Sequence, residues 1–156
     1  MGVAFGLGDP AAGARCRTAE KEWRDGLLRG LLRVEDEGVN SMRFLRWFES
    51  PETTLAGTQA GLAMNFLLPP DLPVFVFSER PPEQSKVSGR GTNRLVTRGL
   101  NLALVCRTAA EAVGGEGGGH PVAAGASIPA GSRALFLEAA DRALEAQLGG
   151  PGGAAR

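Results

Sequence analysis

The sequence predicts an α/β domain in which a mixed β-sheet is flanked by helices and preceded by a helical N-terminal part. Apolar residues recur at helical spacing through most of the first 68 residues. The run Val74-Phe75-Val76-Phe77 then has the β-branched and aromatic composition of a buried strand. From there, strand-like and helical segments alternate to residue 148. This order of elements is typical of a sheet that carries helices on its faces.

Three helices are predicted in the N-terminal part. The first is expected to begin at an N-cap, Thr18, and to end at Gly38. Its apolar stripe at helical spacing is formed by Trp23, Leu27, Leu31 and Val34. A short helix is expected over residues 41–49, and a third from residue 50 to residue 68. Residues 1–17 are rich in Gly and Ala and aperiodic, and we expect them to form a flexible N-terminal segment.

Two glycines lie four residues apart on one face of the third predicted helix, Gly57 and Gly61. A glycine inside a helix costs about 1 kcal/mol relative to alanine. The pair therefore predicts close backbone packing against another element. The glycine spacing of membrane helix dimers does not apply, because the segment is not a 20-residue apolar stretch.

In the second half of the chain, strands are predicted over residues 74–77, 86–90 and 122–128, and helices over residues 99–113 and 133–148. Gly114 is the expected stop of the first of these helices, Ser132 the N-cap of the second and Gly149 its C-cap. The residues expected to be buried on the two helices are Leu100, Leu104, Ala110, Leu137, Ala140, Leu144 and Leu148. The domain is thus expected to span residues 18–148, followed by a flexible tail over residues 149–156.

The charge balance excludes one class of function. The chain has 17 basic and 17 acidic residues, so its net charge is zero and any binding of nucleic acid must come from a local patch. Cys16 and Cys106 are far apart, which predicts a reduced cytoplasmic protein rather than a disulfide framework. No apolar run approaches 18 residues and the N-terminus lacks a signal-peptide pattern, so no membrane association is expected.

The most informative stretch is residues 114–120, which hold five glycines and the chain's only histidine, His120. A dinucleotide-binding loop follows a strand and opens a helix, and a Walker loop needs Gly-Lys-Ser/Thr; this stretch fits neither pattern. Two interpretations stay open: an anion-binding row of exposed backbone N–H groups, and a tight helix-to-strand connection. An anion site here would need added positive charge, because the preceding helix presents its negative end.

A second polar stretch, Ser88-Gly89-Arg90-Gly91-Thr92-Asn93-Arg94, interleaves hydroxyl and amide donors with arginines. Such donors suit phosphate oxygens. The alternative is a solvated turn between a strand and a helix. The run Arg43-Phe44-Leu45-Arg46-Trp47-Phe48 could stack on unpaired bases, but we favour burial of its aromatic rings in the core. Cys106 is expected to be a small buried hydrophobe.

Together the two stretches resemble a known family. The Ser-x-Arg strand at Ser88 and Arg90, Gly-Leu-Asn-Leu at residues 99–102, and the signature Gly-Gly-Gly-His-x-x-Ala-Ala-Gly at residues 117–125 resemble the DHH-associated C-terminal domain of RecJ-like phosphoesterases. Upstream, Trp23-Arg24, Arg46-Trp47-Phe48 and residues 56–61 look like the archaeal RecJ branch. The resemblance covers residues 20–148 and implies the same α/β fold.

The resemblance also implies a binding site. In this family the glycine loop and its histidine face the catalytic domain and hold a substrate phosphate, helped by the arginine of the Ser-x-Arg strand. These roles would fall here on Arg90, His120 and residues 117–119 (Gly117, Gly118 and Gly119), with Ser88 a weaker candidate.

The chain departs from the family where catalysis is concerned. The family hydrolyses phosphoesters in a separate domain named for an Asp-His-His motif, whose Asp and His ligands hold two metal ions. This sequence has one histidine, no such motif and five scattered Asp residues. We therefore expect no catalytic residues, no metal site and no cofactor in this chain; Mn²⁺ or Mg²⁺ would belong to the missing catalytic domain. Glu116 would lack a metal partner as a general base.

Two functions and a third possibility follow. The first is a non-catalytic domain that binds single-stranded DNA or RNA, or its terminal phosphate, within an archaeal replication or repair assembly containing the GINS complex, as the resemblance implies. The second is the substrate-binding part of a split or truncated DHH-family phosphoesterase or exonuclease, with a catalytic DHH-domain partner. The third is a scaffold in which the glycine loop is a relic.

Overall fold

A computed structural model describes residues 10–80 and 82–150. The helices and strands are, in chain order, α1 (Pro10–Glu37), β1 (Asn40–Ser41), β2 (Arg46–Glu49), α2 (Ala56–Phe66), β3 (Val74–Arg80), β4 (Gln84–Arg90), α3 (Asn93–Thr97), α4 (Leu102–Glu111), β5 (Glu116–Gly119), β6 (Ala123–Pro129) and α5 (Arg133–Leu148). No helix within these ranges is both long enough and apolar enough to cross a membrane.

The strands form a single six-stranded mixed sheet in the order β1-β2-β3-β4-β6-β5. β2 and β3 run parallel, and every other neighbouring pair is antiparallel. The predicted fold class, a mixed sheet with flanking helices and a helical N-terminal part, is confirmed. β4 and β6 lie in the interior of the sheet, with β5 at the edge, so the sequence order of the last two strands is reversed in space.

The two faces of the sheet are covered unequally. On the face that carries Phe75 and Phe77, α4 and α5 pack over the larger core cluster, in which the Phe136 ring forms a T-shaped contact with each of the two rings. The opposite face carries Val74 and Val76 and packs against α1 and α2 in a smaller cluster. We call this second side the α2 face. α2 packs against β3 and β4, and this uneven cover is what creates the site described below.

Several predicted elements are confirmed. α5 has the predicted bounds, and its predicted stripe is buried from Leu137 to Leu148. The predicted strands correspond to β3, β4 and β6. Gly114, at a φ of 77°, follows the end of α4 as expected. Cys106 is fully buried, and burial raises the pKa of its thiol to about 12, so the group remains a neutral thiol.

The start of the first helix differs from the prediction. α1 begins at Pro10, so residues 10–17 are helical, and residues 1–9 lie outside the described residues. Thr18 is not an N-cap, because its hydroxyl lies inside the helix and donates to the carbonyl oxygen of Ala14 at 3.1 Å. Of the predicted stripe, Leu27 and Val34 are buried, whereas Trp23 remains half exposed.

The predicted helix over residues 41–49 is wrong, because this segment forms β1 and β2. Trp47 packs towards the larger core cluster and Phe48 towards the smaller one, so the segment is buried on both faces as an inner strand is. Packing of the aromatic rings in the core is confirmed, although Trp47 and Phe48 lie on a strand and Phe44 lies in the connection before it. α2 also begins later than predicted, at Ala56, after a turn that follows Pro51.

Three local details in the second half differ from the prediction. The predicted helix over residues 99–113 corresponds to α4, which begins at Leu102 and ends at Glu111; the short helix α3, which was not predicted, lies before Gly99, whose φ is 113°. Leu104 is half exposed rather than buried. Ser132 precedes α5 but does not cap it, because its hydroxyl donates to the carbonyl oxygen of Pro129 at 2.5 Å.

Candidate phosphate-binding cleft

An open cleft of about 730 Å³ lies on the α2 face, beside the region that α2 covers. Its floor is formed by β4, β6 and β5, and one wall is formed by the N-terminal end of α2 and the turn before it. The residues that line the floor, the wall and the two ends include Thr54, Gly57, Thr58, Arg80, Lys86, Ser88, Arg90, Glu116, Gly118, Ala123, Gly125 and Ser127.

The cleft is open because the floor lacks large side chains. Paired residues of neighbouring strands point to the same face of a sheet. Ser88 pairs with Gly125, and Gly125 pairs with Gly118, so these three form one row across the floor. A Cβ atom placed on Gly118 would have no neighbour within 4 Å. The middle of the cleft is therefore a flat surface of backbone and one hydroxymethyl group.

Arg90 supplies positive charge at one end of the cleft. It is the last residue of β4, it is half-buried, and its Nη1 donates to the carbonyl oxygen of Gly89 at 2.8 Å. Its guanidinium lies against Gly57 of α2. Burial holds the pKa of Arg90 below its ordinary value, and no carboxylate in the described part of the chain forms a salt bridge with it. The cleft thus holds a partly desolvated cation that lacks a counter-ion among these residues.

The two glycines of α2 should respond differently to replacement by alanine. A Cβ atom on Gly57 would overlap the Arg90 guanidinium, whereas one on Gly61 would meet nothing within 4 Å. Close packing is therefore confirmed at Gly57 and wrong at Gly61. We expect Gly61→Ala to raise the free energy of unfolding by up to about 1 kcal/mol. Gly57→Ala should raise the free energy of unfolding by less than this, or lower it. Urea denaturation of both variants measures this, and equal gains would contradict the contact with Arg90.

His120 lies at the turn between β5 and β6, is exposed, and is not among the residues lining the cleft. Its backbone pairs with Ala123, and Ala123 pairs with Arg90, so His120 and Arg90 lie in one row two strands apart. At about 4.8 Å per strand, their backbones are about 10 Å apart. The structure thus brings the two predicted residues to the same end of the sheet.

The turn also docks on α4. The carbonyl oxygen of Pro121 accepts a hydrogen bond of 3.0 Å from the N–H of Leu102, the first residue of that helix. The expectation that this region faces the negative end of the preceding helix is therefore wrong for His120. Because β5 runs back along α4, His120 lies near the positive end of the helix, where the helix dipole favours an anion.

The glycine run is an edge strand rather than a loop. Hydrogen-bonded and non-hydrogen-bonded pairs alternate along an antiparallel ladder. The pair of His120 with Ala123 is hydrogen-bonded in both directions, so the N–H of Gly118 points to β6, and those of Gly117 and Gly119 point to the free edge. The expected continuous row of exposed N–H groups is therefore wrong, and only alternate groups are free of β6.

Close packing or backbone conformation explains why several positions of the run are occupied by glycine. A Cβ atom on Gly117 would overlap the backbone carbonyl of Cys106 in α4, and one on Gly115 would overlap that of Ser127. Gly119 has a φ of 137°, which favours glycine. Gly118 has neither constraint, since its position is open and its φ is not in the left-handed region. Only at Gly118 does the absence of a side chain serve the space of the cleft itself.

Some polar residues near Arg90 have structural roles. Thr92 caps α3 by accepting a hydrogen bond from the N–H of Leu95 at 3.1 Å. Asn101 caps α4 in the same way, and its backbone forms two hydrogen bonds with the side chain of Gln147. The donors of the stretch beginning at Ser88 are thus divided: Ser88 and Arg90 face the cleft, and Thr92 stabilises a helix.

The sequence profile of the DHHA1 domain, the DHH-associated domain, matches residues 58–146, which is more than half of the chain. This chain belongs to the DHHA1 family. Domains of this family occur in DHH phosphoesterases and at the C-terminus of alanyl-tRNA synthetase. The match identifies the DHHA1 domain alone, and no catalytic DHH domain is identified in the chain. The resemblance inferred from the sequence is thereby confirmed at the level of the family.

Individual proteins are similar to this chain in sequence or in fold. An uncharacterised protein of Methanocaldococcus jannaschii is 44% identical over 64 residues, which are 41% of this chain and only 15% of that protein. The C-Ala domain of Aquifex aeolicus alanyl-tRNA synthetase has a TM-score of 0.52 and 20% identity, over 69% of this chain and 95% of that one. A structure described as the DHH domain of a member of a family of ribosomal proteins has a TM-score of 0.51 and 19% identity, and the match covers 85% of this chain and 32% of that one. The two solved structures show the same fold.

The DHHA1 cleft contains residues that the sequence analysis did not place in a site. Lys86 and Arg80 line it from β4 and β3, and Thr54 and Thr58 line it from the α2 wall. The sequence does contain a pattern that places Lys86 in the site. Lys86, Ser88 and Arg90 alternate along one strand, and residues two apart share a face of the sheet. The threonines gave no signal, since their position depends on how α2 packs on the sheet.

The side chains of the described residues do not assemble a metal site. Within residues 10–80 and 82–150, no cluster of three or more His, Cys, Asp or Glu side chains could hold a metal ion. The chemistry available in the DHHA1 cleft itself is that of cations, hydroxyls and one carboxylate, Glu116.

Proposed function

We propose that this DHHA1 domain binds single-stranded nucleic acid by a phosphate, terminal or internal, in the cleft on the α2 face. The observation that carries the proposal is the half-buried guanidinium of Arg90, which has no carboxylate partner among the described residues and borders an open, glycine-floored cleft. A buried cation without a counter-ion is unfavourable for folding. An anionic ligand would supply the missing partner through charge-assisted hydrogen bonds.

Each predicted site residue has a role in this proposal. Arg90 offers a planar pair of donors to the phosphate. His120, at the same end of the sheet, adds a donor from the turn. Ser88 provides a hydroxyl on the floor, and Gly117 and Gly119 shape the edge strand that holds Gly118 open to the ligand.

The proposed role is accessory and non-catalytic. Two-metal phosphoester hydrolysis needs a set of carboxylate and histidine ligands, and the described residues offer no such cluster. Within residues 10–80 and 82–150 the cleft has a wall only on the α2 side. We propose that a partner supplies the other wall: the GINS complex in a replication or repair assembly, or a catalytic DHH-domain partner.

A separate observation supports the catalytic DHH-domain partner. The match to the M. jannaschii relative spans only 15% of that protein, so the similar stretch is one part of a much longer chain there. This favours, as the alternative function, the substrate-binding part of a split or larger DHH-family phosphoesterase. In both cases the DHHA1 domain holds the ligand and another polypeptide or domain acts on it.

The proposal is tested by filling the cleft. Gly118→Val places a side chain in open space on a strand, so we expect the fold to be retained and binding of a fluorescent 5′-phosphorylated single strand to weaken at least about fivefold. Fluorescence anisotropy at several salt concentrations measures the affinity. Wild-type binding should be weak and should fall with salt, as phosphate binding does.

Gly61→Ala is the matched control, because it adds a methyl group in open space outside the cleft. We expect it to bind as the wild type does. Equal affinity of Gly118→Val and the wild type would contradict the proposed site. Cleavage of the strand by the isolated chain in Mn²⁺ would contradict the non-catalytic role.

A further inference from the structure

Lys86 lies on the same strand and the same face as Arg90, at the other end of the cleft. Lys86 precedes Arg90 by four positions in β4, which corresponds to about 14 Å between their Cα atoms. It is one of only two lysines in the chain, the other being Lys21 on α1. The cleft is therefore cationic at both ends.

Of the cations that line the cleft, Lys86 and Arg90 contact different points of the α2 wall. The Lys86 ammonium group donates to the carbonyl oxygen of Thr53 at 3.5 Å, a distance at the upper limit for a hydrogen bond. The Arg90 guanidinium lies against Gly57, four residues further along. No salt bridge to Lys86 occurs within the described ranges. Its charge is thus only weakly engaged and is available to a ligand.

The surface between the two cations is flat, and the far side of the cleft is acidic. Between them lies the row of Ser88, Gly125 and Gly118, which has almost no side-chain atoms. Lys86 pairs with Ser127 of β6, and Ser127 pairs in turn with Glu116 of β5. Glu116 therefore lies across the sheet from Lys86, on the far side of the cleft. A carboxylate at Glu116 repels phosphate. An anionic chain is therefore favoured along β4 and the α2 wall, and disfavoured beside Glu116 at the start of β5.

We propose that Lys86 forms a second phosphate-binding subsite, so that the cleft takes a strand of several nucleotides whose phosphates contact Arg90 at one end and Lys86 at the other. This inference rests on the proposed function and extends it from one phosphate to two phosphates of one strand. Sugars lie over the glycine floor between the two contacts. A mononucleotide engages one cation only.

The test compares ligands of different length. The probes are 5′-phosphorylated adenosine mononucleotide and 5′-phosphorylated oligoadenylates of three and five nucleotides, measured by calorimetry against the wild type, Lys86→Gln and Lys86→Arg. We expect Lys86→Gln to weaken pentanucleotide binding about five- to tenfold and to leave the mononucleotide affinity unchanged. The salt slope for the pentanucleotide should fall by about 0.7. Lys86→Arg should keep the affinity, and so should the control Lys21→Gln.

The outcomes separate this inference from the proposed function. If Lys86→Gln binds the pentanucleotide as tightly as the wild type while Gly118→Val does not, the second subsite is wrong and the phosphate cleft stands. If mononucleotide and pentanucleotide affinities drop equally in Lys86→Gln, the lysine acts on the whole cleft and the subsite is again wrong. If no probe binds the wild type at low salt, the proposed function fails and the subsite fails with it.

Discussion

Replacing Arg90 with methionine is expected to weaken binding of a phosphorylated single strand about 10- to 100-fold without lowering the thermal midpoint of the protein. A hydrogen bond to a charged group contributes about 1.5–3 kcal/mol, which corresponds to this loss of affinity. Stability should not fall, because burial disfavours the charged guanidinium and no carboxylate in the described part of the chain compensates for it. Methionine keeps apolar contact with Gly57 and removes the charge.

The combination of the two readouts makes this prediction specific. A purely structural arginine would lose stability when it is replaced, and a ligand-binding arginine loses affinity alone. Arg107→Met is the control, since Arg107 is an exposed arginine of α4, on the other side of the sheet. Anisotropy and thermal unfolding of the two variants measure both effects. Retained affinity in Arg90→Met, or a fall in its thermal midpoint, would show that the guanidinium serves the fold.

Replacing Gly117 with alanine is expected to destabilise the protein by about 1–3 kcal/mol, whereas the same change at Gly118 should stay within about 0.5 kcal/mol. The Cβ atom at Gly117 would overlap the backbone carbonyl of Cys106, which cannot rotate away as a side chain can. α4 or β5 must therefore move. At Gly118 the added methyl group meets open space.

Urea denaturation of the two alanine variants measures this difference between adjacent glycines. For a chain of this size, each kcal/mol corresponds to a shift of about 2–4 °C in the thermal midpoint. A similar, large loss in both variants would mean that the run needs glycine for backbone conformation throughout. A negligible loss in both would mean that α4 does not pack directly on β5.

Some elements of the fold can be predicted from the local sequence, and others cannot. α5 and the strand at Val74 are specified locally, by an apolar stripe in one case and a β-branched and aromatic run in the other. The segment 46–49 is not specified locally. Trp47 and Phe48 can occupy the two faces of a buried strand, as they do here, but the same residues could also lie on one face of a helix. The glycine run is ambiguous for a different reason: glycines have no side chains whose alternation would reveal a strand.

The site was predictable in part. Ser88 and Arg90 belong to one strand, so the sequence places them on one face without knowledge of the rest of the fold. The wall of the cleft requires the packing of α2 across β4, which brings Gly57 to the guanidinium and Lys86 to Thr53. No local pattern encodes that contact. The functional roles of these residues stay predictions until binding is measured.

The bare middle row of the floor has a consequence for base discrimination. Bases are told apart by donors and acceptors that project from side chains towards their edges. Gly118 and Gly125 project none, and the hydroxyl of Ser88 can act as either donor or acceptor. We therefore expect homopolymers of adenine, cytosine and thymine to compete for the cleft almost equally, so that any preference for a particular sequence must come from side chains outside this row.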